Sequence, residues 1–162
     1  MNELSDIFDK IYPQYHPMVR QICLGYMKGD EEQANDLTQE VFINVWNALP
    51  NFQGKSSYKT WVYRITVNTS LNYLRKYKKT EHSSLDNLPS EEQNTDEPGN
   101  YSSLIAAIGQ LQEIDRLIIM MVLDELEYDE IGEIMGISSV NLRVKIHRIK
   151  ARLKKILENE RV

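Results

Sequence analysis

The sequence predicts an all-α protein of two small helical domains joined by a flexible acidic linker, with a helix-turn-helix in the C-terminal domain. Apolar residues recur three or four positions apart along most of the chain, which is the period of a helix. The alternating pattern of β-strands is missing. Residues 80–100 are rich in Ser, Asn, Asp and Glu and poor in large aliphatics, so they cannot offset the entropy of ordering. The predicted domains are therefore residues 1–79 and 101–162, with residues 80–100 as linker.

Composition excludes several kinds of site. Cys23 is the only cysteine and the three histidines lie far apart in sequence, so we expect no disulfide, no metal site and no cofactor. No window of eighteen apolar residues predicts a membrane span, and we expect no membrane insertion. The first residues lack the basic and apolar regions of a secretory signal, which favours a cytoplasmic protein.

The charge of the chain is strongly uneven. The net charge is -5, yet residues 54–79 hold seven Lys or Arg and no acid, and residues 139–162 hold eight Lys or Arg against two acids. Residues 80–115 hold eight acids and no Lys or Arg. Basic runs are often only solvated helix faces. Two such runs, both helical and nearly free of acids, favour contact with nucleic acid.

Local signals set the helices of the N-terminal domain. Pro13 and Pro17 predict a bend between a short first helix and a second segment. Asp30 followed by Gln33 fits a capping box, so a helix is expected from there to about Leu49. A loop and a long helix over residues 58–79 follow.

The sharpest pattern is a helix-turn-helix in residues 128–155. Gly136 stands where the turn needs positive φ, Gly132 is small enough for a second helix to cross closely, and Ser138 or Ser139 caps that helix. A basic helix in a bundle would explain the apolar stripe of this second helix but not the turn. The stripe is Leu142, Ile146, Ile149 and Leu153, and the residues predicted to contact a DNA major groove are Ser138, Ser139, Asn141, Arg143, Lys145, His147, Arg148 and Arg152.

The long basic helix predicts a second contact with nucleic acid. Basic and amide side chains follow one strip of it, and aromatic residues cluster at its start, a combination that suits unpaired bases. The preceding loop is expected to form a pocket for an extruded base. Trp61 itself is better explained as a core residue. The predicted contacts are Phe52, Lys55, Ser56, Ser57, Tyr58, Lys59, Arg64, Asn68, Asn72, Arg75 and Lys79.

The helix before that loop carries an acidic and polar strip with an aliphatic residue inside it. Asp36, Gln39, Glu40, Ile43 and Asn47 share this face. An aliphatic residue among acids suggests a protein-docking surface. Taken alone, however, such a face is more often a solvated one, and both interpretations remain open.

Three segments together resemble bacterial sigma factors of the extracytoplasmic-function (ECF) type. The segments are ANDLTQEVF at 34–42, FQGKSSYKTWVYRITVN at 52–68, and the helix-turn-helix at 130–152. The resemblance implies that the acidic strip binds core RNA polymerase at the β′ clamp helices, with the β subunit as a further contact. It also implies that the loop and basic helix read and melt the promoter -10 element, and that the C-terminal domain reads the -35 element. An anti-sigma factor, common in the family, is a candidate partner.

The sequence departs from the family at the start of the second helix of the motif. Val140, Asn141 and Leu142 stand where the family often has Gly-Thr-Val, so the preferred -35 sequence cannot be carried over. An alternative function is a DNA-binding transcriptional regulator that is not a polymerase subunit. A nucleic-acid enzyme would need clustered carboxylates or a His/Lys constellation, and the carboxylates here are scattered, so no enzymatic activity is expected.

Overall fold

The computed structural model describes residues 2–81 and 100–160, and those residues form seven α-helices, one short 3-10 turn and no strand. The all-helical prediction is confirmed. Most of the predicted linker lies outside the described residues. The helices are α1 (Glu3–Tyr26), α2 (Glu31–Ala48), α3 (Tyr58–Glu81), α4 (Asn100–Ile108), α5 (Glu113–Leu123), α6 (Tyr128–Met135) and α7 (Ser139–Glu160), with the 3-10 turn at Leu49–Asn51.

The predicted division of the first helical region into two segments is wrong, because α1 runs without interruption through both prolines. Each proline lacks an amide N–H, so the carbonyls of Asp9 and Pro13 lose their usual helical donors. Asp9, Pro13 and Pro17 are all exposed. Water can therefore satisfy the freed carbonyls, and the helix continues.

The start of α2 follows the sequence prediction. The Asp30 carboxylate accepts a hydrogen bond from the backbone N–H of Gln33 at 3.1 Å and so caps the helix. Leu37, Val41 and Val45 then form its buried stripe. Each such side chain contributes about 1.5–3 kcal/mol on leaving water, which orients α2 against the rest of the fold.

The N-terminal helices α1–α3 and the C-terminal helices α4–α7 pack together, and their buried apolar side chains form one cluster. Helix α1 contacts α2, α3 and α5, while α3 contacts α6. Helix α7 packs against α4, α5 and α6. At the crossing of α1 and α5, a β-carbon on Gly25 would overlap the thioether of Met120, so the absence of a side chain allows this close approach.

Arg116 is a buried cation between the two groups of helices. It is only 4 % exposed. Its Nε donates to the carbonyl oxygen of Tyr26 at 3.0 Å, and its Nη1 donates to the carbonyl oxygen of Leu111 at 2.7 Å. The guanidinium carbon also lies 5.0 Å from the centre of the Tyr26 ring. Burial lowers the pKa of Arg116, and the negative end of α1 opposes part of that cost.

Three buried hydroxyls are satisfied within their own helices. The hydroxyls of Thr38, Thr66 and Ser70 each donate to the carbonyl four residues earlier, at 2.6, 2.8 and 2.7 Å. Cys23 is fully buried, and burial raises the pKa of its thiol to about 12. The thiolate is therefore negligible at neutral pH, and Cys23 acts as a packing residue.

We expect Arg116→Met to lower the free energy of unfolding by about 2–4 kcal/mol, because it leaves the carbonyls of Tyr26 and Leu111 buried without donors. Urea unfolding followed by circular dichroism measures the change. Arg152→Met makes the same substitution at an exposed site on α7 and should change stability little. Equal midpoints for the two variants would contradict the structural role of Arg116.

Candidate functional site

The turn between α6 and α7 has the geometry that a helix-turn-helix requires. Gly136 follows α6 with a φ of 70°, in the left-handed region that favours glycine. The backbone N–H of Ile137 donates to the carbonyl oxygen of Gly132 at 3.0 Å. A β-carbon on Gly132 would lie 2.8 Å from the Ile137 carbonyl oxygen. Gly132 therefore makes room for the turn itself, rather than mainly for the second helix as expected.

Ser138 caps α7, and the apolar stripe of that helix is buried as predicted. The Ser138 hydroxyl accepts a hydrogen bond from the N–H of Asn141 at 3.3 Å, and its carbonyl accepts from the N–H of Leu142 at 2.8 Å. The buried side chains are Leu142, Ile146, Ile149 and Leu153. They anchor α7 to α4, α5 and α6 and turn its opposite face outward.

Most of the residues predicted to contact a major groove lie on exposed parts of this motif. Lys145 is the exception, because it is half-buried and its Nζ lies 3.4 Å from the Oδ1 of Asp115 on α5. That pair is purely ionic, since the Asp115 oxygen accepts no hydrogen bond within the described part of the chain. The exposed residues are Ser138, Ser139, Asn141, Arg143, His147, Arg148 and Arg152.

The loop before α3 rests on a group of aromatic rings. The ring of Phe52 is stacked on that of Tyr58, with 4.6 Å between their centroids, and lies 4.9 Å from that of Trp61. Trp61 is half-buried against the core, which fits its interpretation as a core residue. Ser57 caps α3 by accepting from the N–H of Thr60 at 3.1 Å, while Lys55 is exposed. The loop thus combines an exposed lysine with a group of packed aromatic rings.

The predicted basic strip of α3 is divided into a covered part and an open part. In the covered part, Lys59 pairs with Glu130 at 3.8 Å and Arg64 with Glu133 at 3.1 Å, both acids lying on α6. In the open part, Asn68, Asn72 and Arg75 are exposed. Lys79 also belongs to α3, but its side chain lies outside the described part of the structure.

A partly buried hydrogen bond strengthens the contact between the C-terminal helices and α3. The hydroxyl of Tyr63 on α3 donates to the Asp124 carboxylate at the end of α5. Burial raises the pKa of Tyr63, and the hydrogen bond to Asp124 raises it further. Tyr63 therefore stays protonated as a donor, and the C-terminal helices are held over the first half of α3.

The acidic and polar strip of α2 is fully exposed as predicted. Asp36, Gln39, Glu40, Ile43 and Asn47 all reach solvent. The side chain of Ile43 is 56 % exposed, although it is a large aliphatic group.

Beside this strip lies an aromatic groove that the sequence reasoning missed. It has a volume of about 550 Å³ and also borders Gln39 and Ile43. The signal was available, because the three residues of α1 in this groove are spaced four apart and so share one helix face. Its rings are those of Phe8, Tyr12 and His16 on α1 and of Phe42 and Trp46 on α2.

Residues 2–81 and 100–160 contain neither a candidate metal site nor a candidate membrane span. No group of three or more His, Cys, Asp or Glu side chains in these ranges could hold a metal ion. None of the helices there is long and apolar enough to cross a membrane. The surfaces that stand out are therefore those of α2, α3 and α7.

Two family models match the chain. Sigma-70 region 2 matches residues 11–80, which include α2, the loop before α3 and nearly all of α3. Sigma-70, region 4 matches residues 101–153, which include the helix-turn-helix. The gap between the matched ranges falls within the predicted linker.

Relatives match over almost the whole chain. The chain is 33% identical to the RNA polymerase sigma factor YlaC of Bacillus subtilis, over 96% of this chain and 95% of that protein. It is 29% identical to the ECF RNA polymerase sigma factor SigW of the same organism, over 96% and 91% of the two chains. The sigma factor RpoE of Bartonella quintana, solved in complex with the anti-sigma factor NepR, shares the fold with a TM-score of 0.76 at 18% identity, covering 93% of this chain and 96% of that one.

The region 2 model matches the N-terminal helices and the region 4 model matches the C-terminal helices. Together with the relatives matched over the whole chain, this favours a polymerase subunit over a free-standing regulator. The chain therefore belongs to the sigma factors of bacterial RNA polymerase, of the extracytoplasmic-function type, and it initiates transcription.

Proposed function

We propose that this sigma factor binds core polymerase through α2, holds the -35 duplex with α7, and captures an unpaired -10 base at the loop over residues 52–57. The observation that carries the proposal is the presence of three chemically distinct surfaces, on α2, on α7 and at the loop before α3, each with exposed polar or charged side chains. We further propose that residues 1–79 and 101–162 are the two domains that carry these surfaces.

The α2 surface suits a basic protein partner with apolar anchors. Asp36 and Glu40 supply negative charge, and Ile43 together with the aromatic groove supplies apolar area beside it. Interfaces commonly combine such an apolar centre with a polar rim. The β′ clamp helices of core polymerase are the proposed occupant, with the β subunit as a second contact.

The α7 surface suits duplex DNA. Arg143, His147 and Arg148 are exposed on a helix whose opposite face is anchored. Cations at the edges of such a helix contact phosphates, while the residues at its centre meet base edges.

The loop before α3 suits an extruded base. Phe52 and Tyr58 offer stacking surface, and Lys55 offers charge for the backbone. Stacking contributes about 1–3 kcal/mol per base, against a few kcal/mol for flipping one out of the duplex. We infer that the protein melts the promoter by binding energy alone and is not an enzyme.

The contact between α3 and α6 would have to open for the whole basic strip to reach DNA. Lys59 and Arg64 cannot pair fully with phosphates while Glu130 and Glu133 occupy them. Exposed ion pairs contribute about 0–1 kcal/mol each, so their exchange for phosphates is inexpensive. The partly buried Tyr63–Asp124 hydrogen bond would then be the larger obstacle.

The remaining partners are proposed by analogy. The solved RpoE carries an anti-sigma factor, and we propose a protein of that kind as an inhibitor of this chain. We place the protein in the cytoplasm, where core polymerase and the promoter are found.

We expect Asp36→Arg to weaken binding to core polymerase at least about tenfold, because it places a cation against a basic partner. Fluorescence anisotropy with labelled protein measures the affinity, and run-off transcription with added core polymerase should fall in parallel. Glu31→Arg makes the same charge change in the first turn of α2, outside the strip. Normal core binding by Asp36→Arg would show the docking surface to be misassigned.

Arg143→Ala should weaken binding of the holoenzyme to promoter duplex and reduce the slope of log affinity against log salt by about one. Lys145→Ala should change both quantities less, because Lys145 already pairs with Asp115. Neither substitution should alter binding to core polymerase. Titrations at several salt concentrations test this, and a larger effect of Lys145→Ala would contradict the assigned roles.

Removing the acids of α6 should expose the covered part of α3. Glu130→Gln together with Glu133→Gln is expected to raise the affinity of the free protein for single-stranded -10 DNA about three- to tenfold, since each lost pair frees one cation for a phosphate. Glu127→Gln with Asp129→Asn changes the net charge equally, but within the described residues Lys59 and Arg64 pair with Glu130 and Glu133 and not with these two acids. Equal gains in both double variants would attribute the effect to net charge alone.

A further inference from the structure

Two valines occupy the outward face of α7. Val140 is 72 % exposed and Val144 is 47 % exposed. At 100° per residue, both lie on the side opposite the buried Leu142 and Ile146. A single exposed valine is ordinary. These two, however, lie one helical turn apart at the centre of a face of α7. Among the described helices, none covers this face.

Two cations, Arg143 and Arg148, border this apolar centre. Both are exposed on the same half of the helix, as is the side chain of His147. A cationic rim favours a polyanion over an apolar protein surface as the occupant. On DNA, a helix in the major groove sets its rim against phosphates and its centre against base edges.

Valine restricts which base edges can be read. Its side chain neither donates nor accepts hydrogen bonds, so it cannot recognise the polar groups of guanine, adenine or cytosine. The one apolar group in the major groove is the 5-methyl of thymine. An aliphatic side chain pressed against that methyl removes both from water.

We propose that Val140 and Val144 determine promoter specificity by contacting thymine methyl groups in the -35 duplex. The proposal rests on the proposed function, in which α7 lies in the major groove. Four residues rise about 6 Å along a helix, which corresponds to about two base-pair steps of 3.4 Å. The two valines should therefore read thymines about two base pairs apart, with Val140 as the residue nearer the start of α7.

The test removes single methyl groups from the DNA. The holoenzyme first selects its preferred -35 duplex from a randomised library. Each thymidine of the selected site is then replaced by deoxyuridine, which lacks only the 5-methyl. We expect one or two replacements to weaken binding about three- to fivefold, the value for burial of one methyl-sized group, and the others to have no effect.

The variants Val140→Ala and Val144→Ala show which valine contacts each thymine methyl group. Both sites are exposed and alanine favours helix, so both variants should fold. At one thymine position, each variant should bind the thymidine and deoxyuridine duplexes with equal affinity. At the other position, the same variant should still bind the thymidine duplex more tightly. Lys155→Ala, an exposed cation further along α7, should weaken all duplexes alike and leave the ratio unchanged.

Three results would overturn the proposal. They are a selected site without thymine, a site in which no methyl affects affinity, and a methyl effect that both alanine variants retain in full. In each case duplex binding itself would stand. Failure of the holoenzyme to select any duplex would instead overturn the proposed function of α7, and this proposal with it.

Discussion

The buried guanidinium of Arg116 is the contact on which the arrangement of the two helical groups depends. Helix α1 has no basic residue in its last turn, so its C-terminal carbonyls have no cation from their own helix. Arg116 reaches across from α5 and binds both the end of α1 and the turn before α5. Without Arg116, the two carbonyls would be buried without a donor, and without the carbonyls, the guanidinium would be a buried charge without acceptors. Either loss is costly.

With α1 and α5 held together, the DNA-directed surfaces differ in accessibility. The outward face of α7 is open along its length, whereas the first half of α3 lies under α6. Both surfaces are basic. Within the described residues, acids of α6 pair with Lys59 and Arg64 of α3, whereas on α7 the ion pair is that of the half-buried Lys145 with Asp115. The distribution of charge thus distinguishes a surface ready for duplex DNA from one that must exchange partners first.

Features governed by local periodicity could be predicted from the sequence. The stripe from Leu142 to Leu153, the positive φ at Gly136 and the cap at Asp30 each depend on residues within one or two turns. The pairing of Arg64 with Glu133 could not be predicted, because it joins residues far apart in sequence. Arg116 was equally hidden, since a lone arginine among acids gives no sign of burial. The uninterrupted α1 shows a further limit: whether a proline ends a helix depends on solvent access to the carbonyl it leaves free.

Because Lys59 and Arg64 are engaged by Glu130 and Glu133, thermodynamic linkage connects surfaces that do not touch. If only a fraction of molecules has these pairs broken, the apparent dissociation constant for -10 DNA is the intrinsic value divided by that fraction. Any partner that prefers the separated state raises the fraction, and DNA in turn strengthens the binding of that partner by the same factor. An inhibitor that prefers the closed state lowers this fraction and so weakens the binding of -10 DNA. The strength of the contacts that Asp124, Glu130 and Glu133 make to α3 therefore sets how far the affinity of one surface can be tuned from another.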